Sequence, residues 1–379
     1  EFNSLSGYEL LHLGLTSRDV TENVEMIQIK SALLVIESKV NLVLQILRDL
    51  IVTHKNTYIV GRTHNVPAQI TTLGKKFASF AEEIMDAKEK LIWEISNLKF
   101  KGLKGAIGTQ QDLLALFKKD SLIKIDEHLA KYFGFTKIHD SVGQIYPRSQ
   151  DFSFISSIAI LASGINNFAL NIRLLAGNDQ VLEGFESEQV GSSAMPHKRN
   201  PRSSERINGL MSLLRGYVGI SAEISGNQWN EGDVSCSVVR RVIIPDTFFA
   251  IDGILNSFHS IIKNLVVKVE SIEDELKAVA PFLASSKILM ECVKKGISRE
   301  IAHSTIKTLA IKSNNSGLEF LNNLSNTPQL ELSKAELKAI AFNFKELCGS
   351  AETDCDTIIG RLNATIPNSI QVMEIGEKF

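Results

Sequence analysis

Apolar residues along this chain recur mainly at helical intervals. From Val20 to about Val52 the positions Val24, Ile27, Ala32, Leu34, Val35, Val40, Leu44 and Leu47 follow a helical period, and no glycine or proline interrupts them. This predicts one helix of roughly thirty residues, long for a globular protein. Thr16 and Ser17 are its candidate N-caps, with Asp19 and Glu22 in the first turn. The same periodicity predicts helices over 71–98, 152–177, 202–225 and 245–267, the fourth with Ile207, Leu210, Met211 and Leu214 on one stripe. Alternation of period two is almost absent, so the fold class expected is all-α. Five long helices with short connections predict an extended antiparallel bundle.

Near Glu270 the texture changes to shorter helical runs with more lysine and glutamate, and with turns at Gly296 and Gly317. The expected organisation is therefore a remnant of an N-terminal region at 1–15, a central long-helix bundle at 16–276 and a small helical C-terminal domain at 277–379. Gly102 to Thr109 reads as a glycine-rich turn under close packing. It lacks the preceding strand and the Lys-Ser/Thr ending of a phosphate loop.

Composition narrows the function classes. The 379 residues are enough for a large core, and 44% hydrophobic with 22% charged residues is ordinary for a globular protein. A net charge of −2 without a basic block gives no support for nucleic-acid binding. The four cysteines, Cys236, Cys292, Cys348 and Cys355, have no metal-ligand spacing and read as thiols of a reducing compartment. No apolar run reaches the length of a membrane span and no signal-peptide layout is seen, so a cytoplasmic protein with no membrane partner is expected.

The densest chemistry lies in Gly191-Ser192-Ser193-Ala194-Met195-Pro196-His197-Lys198-Arg199-Asn200-Pro201, just before the fourth helix. A glycine-started polar loop feeding a helix start presents hydroxyls and free N–H groups to an anion. The string resembles the signature loop of the fumarase/aspartase superfamily, and from Ala194 onward it resembles the adenylosuccinate lyase form. Three more stretches resemble the same family in the same order. They are His12 to Asp19; Gly61-Arg62-Thr63-His64 with Pro67 to Gly74; and Gln228 to Asp233 continuing through Ser237 and Arg241 to Asp246.

The resemblance implies β-elimination of fumarate from a succinyl-amine. A base takes a proton beside a carboxylate, an acid protonates the departing nitrogen, and donors around the anionic intermediate supply much of the catalysis. By resemblance Ser192 is the general base, with Ser193 as its neighbour and fallback. Lys198 and Asn200 hold the succinyl carboxylates, and Glu205 is their charge partner one turn into the helix. His64 is the general acid, flanked by Thr63; a histidine pKa near neutrality suits that task. Thr16, Ser17 and His12 are implied ligands of a carboxylate or phosphate, Gln144 a substrate-binding glutamine, and Arg206, Ser237 and Arg241 ligands of the nucleotide's phosphate and ribose end.

No metal or organic cofactor is implied, since base, acid and anion-stabilising groups are all protein-borne. The implied assembly is a homotetramer with a twenty-helix core and active sites built from three subunits. Trp229 reads as packing a helix junction. Two departures from the family stand out: Gly232 occupies a position where many members carry arginine, and the Arg-Tyr pair and Arg/Lys-His-Asp loop of the family's N-terminal domain do not occur in residues 1–379. Alternatives are another fumarate-releasing lyase, such as argininosuccinate lyase, or an inactive oligomeric scaffold. The Ala-Met-Pro-His-Lys-Arg string disfavours the first, and joint retention of Ser192, His64, Lys198 and Glu205 disfavours the second.

Overall fold

The computed structural model describes residues 2–8, 12–184, 195, 198–314 and 316–367. Ser192 and Ser193, the expected base and its neighbour, lie outside the described residues. Five long helices form the body: α1 (Ser17–His54), α2 (Leu73–Asn97), α3 (Ser149–Gly177), α4 (Arg202–Ile224) and α5 (Ser235–Asn264). On α1, Met26, Ile29, Leu33, Ile36, Val40, Val43, Leu47 and Ile51 are buried at steps of three and four, which puts one apolar face against α2 and α5. Next, α3 packs on α2, α4 and α5, and α4 packs on α5, closing the bundle. The all-α expectation holds, and four of the five helices fall within a few residues of their expected limits.

The fifth differs. It begins at Ser235, ten residues before Pro245, which sits inside α5 rather than at its entrance. Proline is usually excluded from helix interiors because it lacks the N–H for residue i−4, here Arg241. The apolar contacts of Ile243, Ala250 and Ile251 with the core hold the helix through that gap.

A second difference is a β-hairpin that the periodicity does not announce. Strands β1 (Tyr58–Thr63) and β2 (Val66–Thr72) pair antiparallel between α1 and α2. The two turn residues, His64 and Asn65, both have positive φ, 51° and 62°. That is the geometry of a two-residue hairpin turn, and His and Asn are among the non-glycine residues that accept it most readily. Thr72 then caps α2, its hydroxyl accepting the Lys75 N–H at 3.0 Å. A two-residue ladder, β3 (Val181–Leu182) with β4 (Val266–Val267), joins the ends of α3 and α5.

After β4, α6 (Val269–Leu283) packs on the hairpin. Short helices between 285 and 341 enclose a second apolar cluster around Phe320, Leu324 and Leu337. The last helix, α7 (Ala351–Thr365), returns to the bundle, where Cys355, Ile358 and Leu362 enter the main core. All four cysteines are buried and unpaired.

By length and composition α3 could cross a bilayer, with a window of mean hydropathy 1.4, but 67% of that window is buried inside the protein. It is the central helix of the bundle, touched by α2, α4 and α5, and its apolar length is explained by that position. Trp229 departs from its expected place: 73% exposed, it packs no helix junction among the described residues.

Candidate functional site

The motif residues fall at both ends of the bundle. At one end lie the start of α1, the 101–105 turn, the 144–148 stretch, the 228–233 loop and the start of α5. Asp19 is the hub. Its buried carboxylate accepts the Thr16 N–H at 3.0 Å, the Lys101 ammonium at 2.7 Å, and the N–H groups of Lys104 at 2.9 Å and Gly105 at 3.1 Å. Burial pushes the Asp19 carboxyl up, but the Lys101 bond and the Thr16 and Lys104 N–H groups outweigh it and hold the group below the usual carboxylate range. Thr16, at the N-cap position, is thereby fixed by its own backbone, while Ser17 beside it is exposed. His12 is exposed in the turn before it, with φ 73°.

One helical turn further along, Glu22 accepts from Arg148 at 2.8 Å and Arg18 at 3.0 Å. Arg240, 3% exposed, donates to Asp151 and Glu25, each at 2.6 Å, and to the Tyr146 hydroxyl. Tyr146 is fully buried, its hydroxyl donating to Asp151 at 2.8 Å and its ring lying 4.4 Å from the Arg148 guanidinium. Burial pushes the Tyr146 phenol well above its ordinary value, so it stays a donor. These paired charges lock α1, the 144–148 stretch and α5 together.

Against that network lies a cavity of about 300 Å³, lined by Glu25, Gln28, Ser237, Arg240, Arg241 and Phe248 among others. It brings the expected ligands Ser237 and Arg241 together. Gln144 is tied in from the side, its N–H donating to the Glu231 carbonyl at 2.8 Å. Gly232 sits against it: a Cβ added there would lie 3.2 Å from the Gln144 Cβ, on a backbone with φ 154°. A side chain at 232 would therefore crowd the glutamine, a local reason for glycine at this position.

At the other end lie the hairpin tip and the start of α4. Thr63 and His64 are exposed at the tip. Lys198 is exposed, its N–H donating to the Met195 carbonyl at 2.9 Å; Asn200 is half-buried, and its carbonyl accepts the Arg202 N–H at 2.9 Å. Glu205 and Arg206 are exposed in the first turn of α4. A buried carboxylate that the sequence reading did not single out anchors this turn. Glu183, 7% exposed, accepts the N–H groups of Ser203 at 3.0 Å and Ser204 at 2.8 Å, and the Ser204 hydroxyl at 2.5 Å. A carboxylate at a helix N-terminus satisfies orphan donors and interacts favourably with the positive end of the helix dipole.

The two ends are separated by the length of α4, roughly 34 Å for 23 residues at 1.5 Å rise. Within one chain, therefore, Thr16, Gln144, Ser237 and Arg241 do not meet His64, Lys198, Asn200, Glu205 or Arg206. Among the described residues, no group of three or more His, Cys, Asp or Glu side chains is placed to hold a metal ion.

A family described as Lyase matches residues 5–216, and one described as Adenylosuccinate lyase C-terminus matches residues 281–357. The adenylosuccinate lyase of Aquifex aeolicus is 35% identical over 322 residues, covering 84% of this chain and 71% of that protein. The adenylosuccinate lyase of Saccharomyces cerevisiae is 34% identical over 310 residues, covering 79% of this chain and 63% of that protein. This chain thus spans somewhat under two thirds of the yeast protein's length. Among solved structures, a 3-carboxy-cis,cis-muconate lactonizing enzyme from Pseudomonas putida superposes with a TM-score of 0.84 at 20% identity, covering 97% of this chain and 80% of that one. A fumarate lyase from Mesorhizobium sp. BNC1 gives a TM-score of 0.80 at 18% identity, covering 95% and 84%. At those identities the structures establish the shared helical fold.

Proposed function

Because this chain belongs to the adenylosuccinate lyase family, we propose that it performs the β-elimination of fumarate from adenylosuccinate, leaving AMP, and from the succinylo-aminoimidazole carboxamide ribotide of purine synthesis. In this reading Ser192 removes the proton beside the succinyl carboxylate, with Ser193 as its alternate. His64 protonates the departing nitrogen. Lys198 and Asn200 neutralise the carboxylates as charge develops, and Glu205 steadies the lysine. Thr16, Ser17, Gln144, Ser237 and Arg241 bind the nucleotide end, with Arg206, Thr63 and His12 contributing from the rim. Arginine's planar fork suits a phosphate. The protein works in the cytoplasm and needs no cofactor.

One observation supports the reading: the sequence of a chain of this family carries Ser192, Lys198 and Glu205 in and just after the loop 191–201, and His64 in the 61–64 string, the four groups the elimination needs. The roughly 34 Å between the two sets of motif residues is then a property of the assembly. A homotetramer with antiparallel neighbours brings the nucleotide end of one copy to the chemistry end of another. Exposed apolar side chains support self-association: Leu170 and Leu174 on α3, Leu213 and Ile220 on α4, and Val238, Val242 and Phe249 on α5. The test is incubation of this chain with adenylosuccinate, with fumarate followed by a coupled assay and mass measured in solution. Fumarate release from a tetramer supports the reading. No release, either from this chain or from one extended at its N-terminus, removes the adenylosuccinate assignment and makes argininosuccinate the next substrate to try.

A further inference from the structure

In the Gly61-Arg62-Thr63-His64 motif, the proposed reaction leaves Arg62 without a task. Its guanidinium, 14% exposed at the side chain, forms an ion pair with Glu275 of α6, and the second oxygen of that carboxylate accepts the side-chain amide of Gln180. Gln180 is fully buried, and its backbone carbonyl accepts the Lys268 N–H at 2.9 Å, next to the β3–β4 ladder. One carboxylate therefore joins three pieces: the hairpin, α6, and the segment that runs from α3 into β3.

The hairpin's other contacts with α6 are apolar. Val60 and Ile70 pack with Leu276 and Leu283, and with Ala351 at the start of α7. Such contacts are non-directional and specify the hairpin's register on α6 less sharply than a polar contact does. A guanidinium–carboxylate contact is directional and fixes the register. The backbone is shaped for it. The ladder has a register shift between Gly61 and Arg62, and a Cβ on Gly61 would lie 2.9 Å from the Gln69 carbonyl oxygen. Irregularities of this kind re-aim the following side chain, and the turn that presents His64 is two residues further on.

We propose that Arg62 and Glu275 are a positioning pair for His64, and that Gln180 extends the pair to the segment leading into β3. The inference rests on the reading of His64 as general acid. Neither Arg62 nor Glu275 touches substrate; both act through the pose of the hairpin tip.

The test compares Arg62→Gln, Arg62→Lys, Glu275→Gln and the Arg62→Gln/Glu275→Gln double variant with the parent chain, reading kcat and KM for fumarate release. Each Gln variant should lose roughly tenfold to a hundredfold in kcat while KM moves less than about threefold, as expected when geometry and not binding is lost. Arg62→Lys should keep part of the lost kcat, and the double variant should be no slower than the worse single, because the two residues act as one unit. An unchanged kcat, a rise in KM at constant kcat, or additive losses would each overturn the proposal. If neither the parent chain nor one extended at its N-terminus releases fumarate, the assigned reaction fails and the pair is judged by the ring resonances of His64. A shift of those resonances in Glu275→Gln supports positioning, and unmoved resonances overturn it.

Discussion

Lys101 Nζ lies 2.7 Å from Asp19 Oδ1, and neither side chain has any solvent exposure. A buried ion pair adds little over an apolar pair of the same volume, but losing one member strands the other charge in a low-dielectric site. Asp19→Asn should therefore destabilise the protein by about 3 kcal/mol, read as a lower midpoint in urea unfolding. The Asp19→Leu/Lys101→Met double variant should lose much less than Asp19→Leu alone. Equal losses would mean that the Thr16, Lys104 and Gly105 N–H groups, and not Lys101, account for the effect.

Glu183 does for α4 what Asp19 does for α1. Three donors, from Ser203 and Ser204, converge on one carboxylate at the helix start. Glu183→Ala should cost about 2 kcal/mol, the upper range for a partly buried charge at a helix N-terminus. Glu183→Gln should cost less, since an amide oxygen still accepts. The check is thermal unfolding alongside amide hydrogen exchange of residues 203–207, where loss of protection should concentrate.

The long helices were legible because their apolar periodicity is strong and uninterrupted, and tertiary packing agrees with it. The start of α5 was not. Pro245 reads as a helix entrance, yet the ten residues before it are helical because the buried Arg240 network with Asp151, Glu25 and Tyr146 holds that turn. The hairpin was also hidden. Its strands are packed between the bundle and α6, so burial follows no clean alternation, and the His64-Asn65 turn lacks the Asn-Gly signal of its type. For the candidate site, Thr16, His64, Gln144, Ser237 and Arg241 were singled out from motif positions in the sequence. Glu183, Glu275 and Asp151 were missed, because an isolated acidic residue looks like a surface charge until the fold shows which donors surround it.

His139 supplies a pH dependence. Burial, reinforced by the nearby Lys99 charge, pushes its imidazole down to about 4 from an ordinary value of 6.5. The folded protein keeps the ring neutral while the unfolded chain binds a proton below about pH 6.5, so the unfolded state holds more protons between about pH 6.5 and 4. Stability should then fall as pH drops through that window and level off below it, as far as this group contributes. Comparing urea midpoints of the parent and His139→Gln from pH 7 to 4 isolates that contribution. The variant should show a shallower acid decline, and parallel curves would mean that other groups, such as Asp19, dominate.

The separation of His64 from the 144–148 and 237–241 residues leads to a test by mixing. His64→Gln should lower kcat by about 10² to 10⁴, the range for loss of a general acid, and Arg241→Gln should lower turnover at low substrate steeply by removing a charged phosphate ligand. If each site takes His64 from one copy and Arg241 from another, a site is intact when the first copy carries only the arginine change and the second only the histidine change. Random assembly of an equal mixture then gives roughly one intact site in four. Co-refolded or co-expressed chains should therefore recover about a quarter of the parent activity, although each variant alone is nearly inactive. Recovery at that level requires sharing between copies. No recovery from a mixture that forms mixed tetramers would put both residues in a site built from one copy, and the antiparallel sharing proposed above would be withdrawn.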